Sequence, residues 1–270
     1  LTLGDTLDAS ISRVFDQANA GTSVVVRNAA SIASDDGRQR GPIDASLAET
    51  VRRVPGVAAV APEVHGTAQV VGADGDALGG QGAPTQAHSW IADPQLNPYR
   101  VTTGRAPARP GEVVVDRTVA TDGKLHVGDT VTVRTPDPVR LRLVGLVSFG
   151  ADPDMGGSIY IGLAHRQAQE LFAPAGKVTE LRVRGDGTRS DAELKAAVDR
   201  ALPRSAQAVT GAELSAEQQA DVQGAFANFL KAFLLAFAGV AVVVATFSIA
   251  NTFAIVSAQR SRESALLRAI

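Results

Sequence analysis

Cysteine is absent from this chain of 270 residues, and aromatic residues make up only 4% of it. Without cysteine the chain forms no disulfides, so any exported part has to fold without covalent crosslinks. The formal net charge is −2, so nothing in the composition suggests the basic surface of a nucleic-acid-binding domain, and no nucleic-acid partner is expected. The length fits one large domain, or two small ones, together with a long helix.

The common signatures of catalysis and cofactor binding are also missing. No Gly-x-x-x-x-Gly-Lys-Ser/Thr segment occurs, so we do not expect the chain to bind ATP. There is no Gly-x-Ser-x-Gly nucleophile motif either. The histidines are scattered, without a His-x-x-x-His or Glu pairing that would favour a zinc site; they are His65, His88, His126 and His165. The expectation is a non-catalytic protein with no cofactor or metal of its own.

A long apolar run near the C-terminus is the strongest feature of the sequence. Residues 232–259 contain no charged residue and no proline. Because roughly 20 mostly apolar residues cross the bilayer core as a helix, this run predicts a membrane-spanning helix, placed at residues 229–258. The alternative is the core helix of a soluble protein, although such helices are rarely apolar on every side over this length.

Charged residues on either side of the run predict its orientation. A single Lys231 precedes it, whereas Arg260, Arg262 and Arg268 follow it. Basic residues are more frequent on the cytoplasmic side of membrane helices. The end of the chain is therefore expected in the cytoplasm, and the body before the run outside it.

Polar residues in the inner half of the run predict a contact within the membrane. They are Thr246, Ser248, Asn251 and Thr252. In lipid, hydroxyl and amide side chains usually face another helix and form hydrogen bonds with it. These four residues therefore predict packing against a second membrane helix.

The body of the chain alternates between helical and strand patterns. Strand–helix–strand patterns occur near both of its ends, and short strands separated by turns lie between them. We interpret this order as an α+β fold, in which a split β-α-β layer carries an inserted, mostly β subdomain. The predicted body consists of a stalk helix (1–21), an α+β subdomain in two segments (22–72 and 163–211) and the inserted subdomain (73–162). A second stalk helix (212–228), the membrane helix (229–258) and the start of a cytoplasmic region (259–270) follow.

Two apolar stripes predict that the stalk helices form a pair. In each stripe the apolar residues recur at steps of three and four, which places them on one helix face. The stripes consist of Leu7, Ile11 and Phe15, and of Val222, Phe226 and Phe229. Because an apolar stripe exposed to water is unfavourable, the two are expected to pack together. The alternative is that each helix packs separately on the globular part.

Three stretches, at residues 104–116, 127–131 and 246–270, are specific enough to compare with a known family, and they resemble the FtsX-like/MacB-type permeases of ABC transporters. Residues 246–270 resemble the second membrane helix and the following cytoplasmic helix of that family, most closely in Gln-Arg-Ser-Arg-Glu at 259–263 and Leu-Leu-Arg-Ala-Ile at 266–270. Residues 104–116 (Gly-Arg-Ala-Pro-Ala-Arg-Pro-Gly-Glu-Val-Val-Val-Asp) and 127–131 (Val-Gly-Asp-Thr-Val) resemble its outer core domain. The order of these stretches also matches the family.

The resemblance implies a MacB-like outer domain on a long stalk and membrane helix. It further implies a permease that spans the cell membrane several times, is surrounded by membrane lipid and places a large domain outside the cytoplasm. Its implied partners are a second permease, in a homo- or heterodimer, and a cytoplasmic ABC ATPase that holds ATP and Mg²⁺.

The function implied by the resemblance is transmission of ATP-driven motion to the outer domain, for export or extraction of a hydrophobic, lipid, lipoprotein or peptide substrate. Two alternatives belong to different functional classes. One is an FtsX-like membrane regulator that activates an extracytoplasmic cell-wall hydrolase. The other is a membrane-anchored scaffold that binds lipid or lipoprotein.

The last residues predict a coupling surface. Residues 257–270 combine charged and apolar side chains in the pattern of an amphipathic helix that docks on a protein or membrane surface. The resemblance makes Arg260, Arg262, Glu263 and Arg268 part of the region that contacts the ATPase. The alternative is a helix end that its arginines anchor at the lipid headgroups.

Overall fold

The computed structural model describes residues 3–34, 37–78, 85–135, 137–152 and 158–267. Two compact units divide the chain, Leu1–Ala220 and Asp221–Ile270. Within the described residues, every strand lies in the first unit. The described residues of the second unit, 221–267, are helical throughout.

The described residues form six helices and sixteen strands. The helices are α1 (Leu3–Ala18), α2 (Leu47–Arg52), α3 (Arg117–Asp122), α4 (His165–Phe172), α5 (Asp191–Ala201) and α6 (Gly211–Leu267). The strands are β1 (Val24–Asn28), β2 (Ser31–Ser34), β3 (Gly37–Arg40), β4 (Ile43–Asp44), β5 (Val57–Glu63), β6 (His65–Thr67), β7 (Gln69–Val71), β8 (Gln86–Ser89), β9 (Tyr99–Gly104), β10 (Glu112–Asp116), β11 (Thr130–Arg134), β12 (Val139–Phe149), β13 (Tyr160–Leu163), β14 (Lys177–Val178), β15 (Glu180–Gly185) and β16 (Ala206–Thr210).

The smaller of the two main sheets has four antiparallel strands in the order β16-β1-β15-β5. β-Branched residues favour these strands, and Val24, Val26 and Val183 are completely buried. Helices α2 and α5 pack on the sheet, where Leu194 and Val198 of α5 join the same hydrophobic core. The smaller sheet and its helices therefore form an α+β layer.

The larger sheet has eight strands, with β6-β8-β13-β10-β12-β11-β7 in one row and β9 paired with β12. It is mixed, because β10 and β12 are parallel, as are β8 and β13. Val113 and Leu143 on one face belong to the hydrophobic core shared with the smaller sheet. Phe149 belongs to a second cluster, against which Val14 and Ala18 of α1 pack. Helix α1 is thus held against the larger sheet.

The α+β fold class is confirmed, while two local elements differ from the sequence-based interpretation. Strands β6 and β7 lie within the segment predicted as the first α+β part, residues 22–72. They pair with β8 and β11 respectively, so they belong to the larger sheet. A hairpin of β2 and β3 also forms between β1 and β4, where the sequence has no clear alternation of apolar residues.

Helix α6 is continuous over 57 residues. In the part of the chain that the structure describes, it is the one helix long and apolar enough to cross a membrane, over Gly211–Ala254. From Val222 to Val256 its described large apolar side chains are exposed, from 41% at Val222 to 76% at Phe247. Burial of apolar surface is worth roughly 25 cal/mol per Å², so this helix needs lipid or another protein around it.

Candidate functional site at the helix–sheet junction

The end of α1 and the first turns of α6 meet at the smaller sheet, within the first unit. We call this region the helix–sheet junction and define it by Asn19, Arg27, Arg182, Ser215 and Glu217. The five side chains are buried or mostly buried. Buried polar groups are costly unless they are hydrogen-bonded, so their partners decide what the junction can do.

Asn19 joins the two helices directly. Its Nδ2 donates to Ser215 Oγ at 3.1 Å and to Gln218 Oε1 at 3.0 Å. Glycine at the start of α6 allows this approach, since a Cβ on Gly211 would lie 2.2 Å from the carbonyl oxygen of Thr22. A larger residue at Gly211 would push the first turn of α6 away from the chain that follows α1.

Arg27 of β1 fixes α6 to the middle of the smaller sheet. Its guanidinium donates to Glu217, and Arg40 Nη2 donates to the other carboxylate oxygen of Glu217 at 3.3 Å. Burial alone would raise the pKa of Glu217, but the hydrogen bond and charge of Arg27, aided by Arg40, outweigh it and lower that pKa. The carboxylate therefore stays ionised at neutral pH, and the contacts are charge-assisted, the stronger kind of hydrogen bond.

Arg182 of β15 makes the corresponding link to α1. Its Nη1 donates to the carbonyl oxygen of Ala18 at 3.1 Å, while its Nε donates to Glu63 Oε2 at 2.5 Å. Glu180 Oε1 lies 3.3 Å from the same Nε. One guanidinium thus joins the C-terminal end of α1 to two strands of the smaller sheet.

Burial and charge together set the protonation of this group. Burial would raise the pKa of Glu63, but Arg182 and the hydrogen bond from His88 hold it well below its ordinary value. Burial raises the pKa of Glu180 to about 7, because Arg182 only partly offsets it and the charge of Glu63 adds to it. Burial, followed by repulsion from His88, lowers the pKa of His65 to about 4. Two carboxyl groups beside one arginine therefore have very different acidities.

His88 extends the network to the larger sheet. Its Nδ1 lies 2.8 Å from Glu63 Oε1, and this contact connects β8 to β5. Its ring also stacks on Tyr160, with centroids 5.6 Å apart, and Tyr160 stacks on Tyr99 at 3.5 Å. The contacts of the junction thus reach strands of both sheets.

The predicted coupling and membrane residues all fall on or after α6. Arg260, Arg262 and Glu263 lie on the helix, in a part whose side chains are not described, and Arg268 lies outside the described residues. The four polar residues of the membrane run are exposed on α6; they are Thr246, Ser248, Asn251 and Thr252. Thr246 and Thr252 donate to carbonyl oxygens one turn earlier, at 2.8 and 2.9 Å. The roles of all these residues stay predictions.

The structure does not test whether the two stalk stripes pack together. The side chain of Leu7 is not described, and Ile11 and Phe15 of α1 are half-buried. The α6 residues Val222, Phe226 and Phe229 are 41%, 59% and 66% exposed. Pairing of these stripes stays a prediction. At the ends of the helices within the first unit, Asn19 and Ser215 do join α1 to α6.

The family follows from comparison with known proteins. Residues 1–201 match the family model of the MacB-like periplasmic core domain, so the chain belongs to this family. Comparison with curated protein sequences gives no match.

Solved structures give similar folds at low sequence identity. The chain is similar to the periplasmic region of MacB from Actinobacillus actinomycetemcomitans, with 12% identity, a TM-score of 0.55 and coverage of 73% of this chain and 92% of that one. It is also similar to the extracellular domain of the noncanonic ABC-type transporter YknZ from Gram-positive bacteria. The identity is 11%, the TM-score is 0.49, and the match covers 69% of this chain and 98% of that one.

The resemblance to FtsX-like/MacB-type permeases is therefore confirmed, and with it the MacB-like α+β fold. The general role is that of a permease component of an ABC transporter, located in a membrane and working with an ABC ATPase. The junction lies in the matched domain, apart from the start of α6, which follows it.

Proposed function

We propose that this chain transmits ATP-driven motion from a cytoplasmic ABC ATPase to its extracytoplasmic sheets through α6. The observation that carries the proposal is the helix–sheet junction, where α6 is bound to β1 through Glu217 and Arg27, and to α1 through Ser215 and Asn19. The chain is the non-catalytic subunit, and the ATPase holds ATP and Mg²⁺.

The stiff backbone of α6 and the strong hydrogen bonds at the helix–sheet junction both support this proposal. The backbone of a helix is bonded internally along its whole length, so a displacement at one end reaches the other. A net hydrogen bond to a charged group is worth about 1.5–3 kcal/mol. Several such bonds at one place exceed thermal energy, so the first turns of α6 and strand β1 move together rather than separately.

The proposal also includes the partners of the chain and its place in the membrane. The polar residues of the membrane run, Ser248 and Asn251 among them, would face helices of this permease or of a second one in a homo- or heterodimer. The chain would be part of a multi-pass protein in the cell membrane. Its cargo would be a hydrophobic, lipid, lipoprotein or peptide substrate that is exported or extracted from the membrane.

Charge reversal at Glu217 tests transmission. The chain has no cysteine, so Arg200→Cys on the exposed end of α5 takes a single spin label, with a second label on the partner permease. Trapping ATP in the full complex is expected to change the distance between the labels. In Glu217→Arg, repulsion from Arg27 and Arg40 should abolish that change, while the ATPase rate stays within about twofold.

Glu49→Arg is the matched control, because Glu49 forms an exposed ion pair with Arg52 on α2. Exposed pairs contribute little, about 0–1 kcal/mol, so this variant should keep the full distance change. An unchanged distance response in Glu217→Arg, with the variant folded and assembled, would overturn the proposed transmission route.

A further inference from the structure

Three potential metal ligands lie together beside the helix–sheet junction. One ring nitrogen of His65, one ring nitrogen of His88 and one carboxylate oxygen of Glu63 all lie within 4.8 Å of one another. Glu63 is buried, while the two histidines are half-buried. The cluster can therefore be reached from solvent at its histidine side.

Strand geometry places the three side chains on one face. Glu63 ends β5 and His65 begins β6, and alternate residues of an extended chain point to the same side. The residue between them, Val64, is completely buried. His65 lies directly opposite His88 in the antiparallel pair β6/β8, and such partners have Cβ atoms about 4.5–5.5 Å apart.

The existing contacts use this cluster only in part. Glu63 binds Arg182 through Oε2 and His88 through Oε1. The ring of His65, by contrast, has no hydrogen-bond partner among the described residues, although it lies 5.4 Å from the ring of His88 between centroids. The three side chains therefore form a potential ligand set in which the imidazole of His65 is not yet engaged in a hydrogen bond.

We propose that Glu63, His65 and His88 bind a zinc ion. Two imidazole nitrogens and one carboxylate oxygen are a ligand set that Zn²⁺ accepts, with water completing four-coordination. Nitrogen ligands disfavour Mg²⁺ and Ca²⁺, which prefer oxygen. The sequence alone does not place His65 beside His88, because the two are far apart along the chain and only the pairing of β6 with β8 brings them together.

The neighbouring charges set the character of this site. Arg182 occupies one oxygen of Glu63 and leaves Oε1, the oxygen on the histidine side, for the ion. Its positive charge opposes a cation nearby, and the carboxyl group of Glu180 beside it partly offsets that repulsion. We therefore expect exchangeable zinc rather than zinc that survives chelators.

Bound zinc would join β5 of the smaller sheet to β6 and β8 of the larger one. The histidine–carboxylate contact already links these strands, and the ion would replace a single hydrogen bond with three coordinate bonds. The two sheets should then separate less readily, so zinc is expected to raise the unfolding temperature of the protein.

Zinc binding by the full chain in detergent tests the proposal. Metal-free protein is titrated with ZnSO₄ by calorimetry, and thermal unfolding is followed with and without zinc. The wild type should bind one zinc ion per chain and unfold at a higher temperature when zinc is present. His65→Ala should weaken binding at least about 100-fold, since loss of an outer-shell partner alone costs 10–100-fold.

His65→Ala is the informative variant, because the His65 ring makes no hydrogen bond that the metal-free fold would lose. Its unfolding temperature without zinc should fall only by the packing that the half-buried ring loses, and zinc should not raise it. His126→Ala is the control, since His126 is an exposed histidine outside the cluster, and it should bind zinc normally. Wild-type protein that binds no zinc, or equal zinc binding by His65→Ala and wild type, would overturn the site.

Cobalt substitution gives a readout independent of stability. Co²⁺ added to the metal-free wild type should produce the visible bands of a four-coordinate ion, and MgCl₂ in excess should not remove them. His88→Ala should lose the bands, whereas His126→Ala should retain them. Bands typical of octahedral Co²⁺ in the wild type would also contradict the proposed site.

Discussion

Arg182 shows how one side chain can connect several segments of a fold. Its guanidinium reaches Ala18 at the end of α1, Glu63 on β5 and Glu180 on its own strand. Arginine suits this position because its planar group offers five donors in a fixed geometry, whereas lysine offers three from a single atom. At the residue scale, the junction therefore depends on the number of donors as much as on charge.

The raised pKa of Glu180 predicts a pH-dependent stability. Its folded pKa is about 7 against an ordinary value of 4.5, so the folded state holds a proton that the unfolded state loses between those values. Glu180 should therefore contribute a decrease in stability of about 1–3 kcal/mol as the pH rises from 4.5 towards 7. The lowered pKa of His65 opposes this contribution, because the unfolded state loses its histidine proton over much of the same range. Thermal unfolding of the full chain in detergent at pH 5 and pH 8 measures the difference.

Glu180→Gln keeps the shape of the side chain and removes the titration. This variant should lack the contribution of Glu180, so its stability at pH 8 relative to pH 5 should be higher than that of the wild type, whereas Glu49→Gln at an exposed ion pair should unfold like the wild type. The same change between the two pH values in Glu180→Gln and wild type would show that Glu180 does not contribute.

At the scale of elements, local pattern predicted much of the fold. Elements β1 and α5 belong to the strand and helix patterns near the two ends of the body. The run Val24-Val25-Val26 is fully buried in β1, and Leu194 and Val198 lie four residues apart on the buried face of α5. The hairpin of β2 and β3 has no such period, and its one large apolar side chain, Ile32, is 76% exposed. Its strands pair without a hydrophobic face for a pattern to reveal.

The junction could not be predicted in the same way. Glu180 and Arg182 alternate with the buried Leu181 and Val183, which is the ordinary pattern of a strand with one solvated face. Helix α1 and the larger sheet cover that face, and their approach depends on contacts between residues far apart in sequence. A polar residue on a strand carries no local mark that distinguishes a buried ion pair from a solvated one.

The predicted stalk pair is a property of two elements and can be tested by crosslinking. Ile11→Cys on α1 and Val222→Cys on α6, in a chain with no native cysteine, should form a disulfide under mild oxidation if the apolar stripes pack together. The expected physical reason is burial of both stripes, which water would otherwise solvate at a cost. Mobility on a non-reducing gel measures the yield in membranes.

The control for this pair uses the other face of α1. Arg13 is exposed and lies about 200° around the helix from Ile11, at 100° per residue. Arg13→Cys with Val222→Cys should therefore crosslink much less. Equal yields for the two pairs, or no crosslink from Ile11 and its neighbours, would contradict packing of the stripes.

At the scale of the whole molecule, the family and α6 together indicate a membrane protein. The matched core domain belongs to permeases, and α6 exposes a long series of large apolar side chains. Residues 221–254 alone would span about 50 Å at about 1.5 Å per residue, which exceeds a hydrocarbon core of about 30 Å. A helix of this length can cross the bilayer and continue beyond it on at least one side.

The C-terminal part of α6 carries the last prediction, which concerns the complex with the ATPase. Exchanging the charges of two adjacent residues, in Arg262→Glu with Glu263→Arg, keeps net charge and composition but reverses the local pattern that an ATPase surface would contact. We expect loss of ATPase co-purification, or at least a tenfold lower ATPase stimulation.

The matched control is Arg166→Glu with Glu170→Arg, an exposed ion pair on α4, whose reversal should leave the complex intact. If lipid headgroups are the true partners of these arginines, the first exchange will leave ATPase binding unchanged and alter only membrane insertion, and the coupling role of this region must then be abandoned.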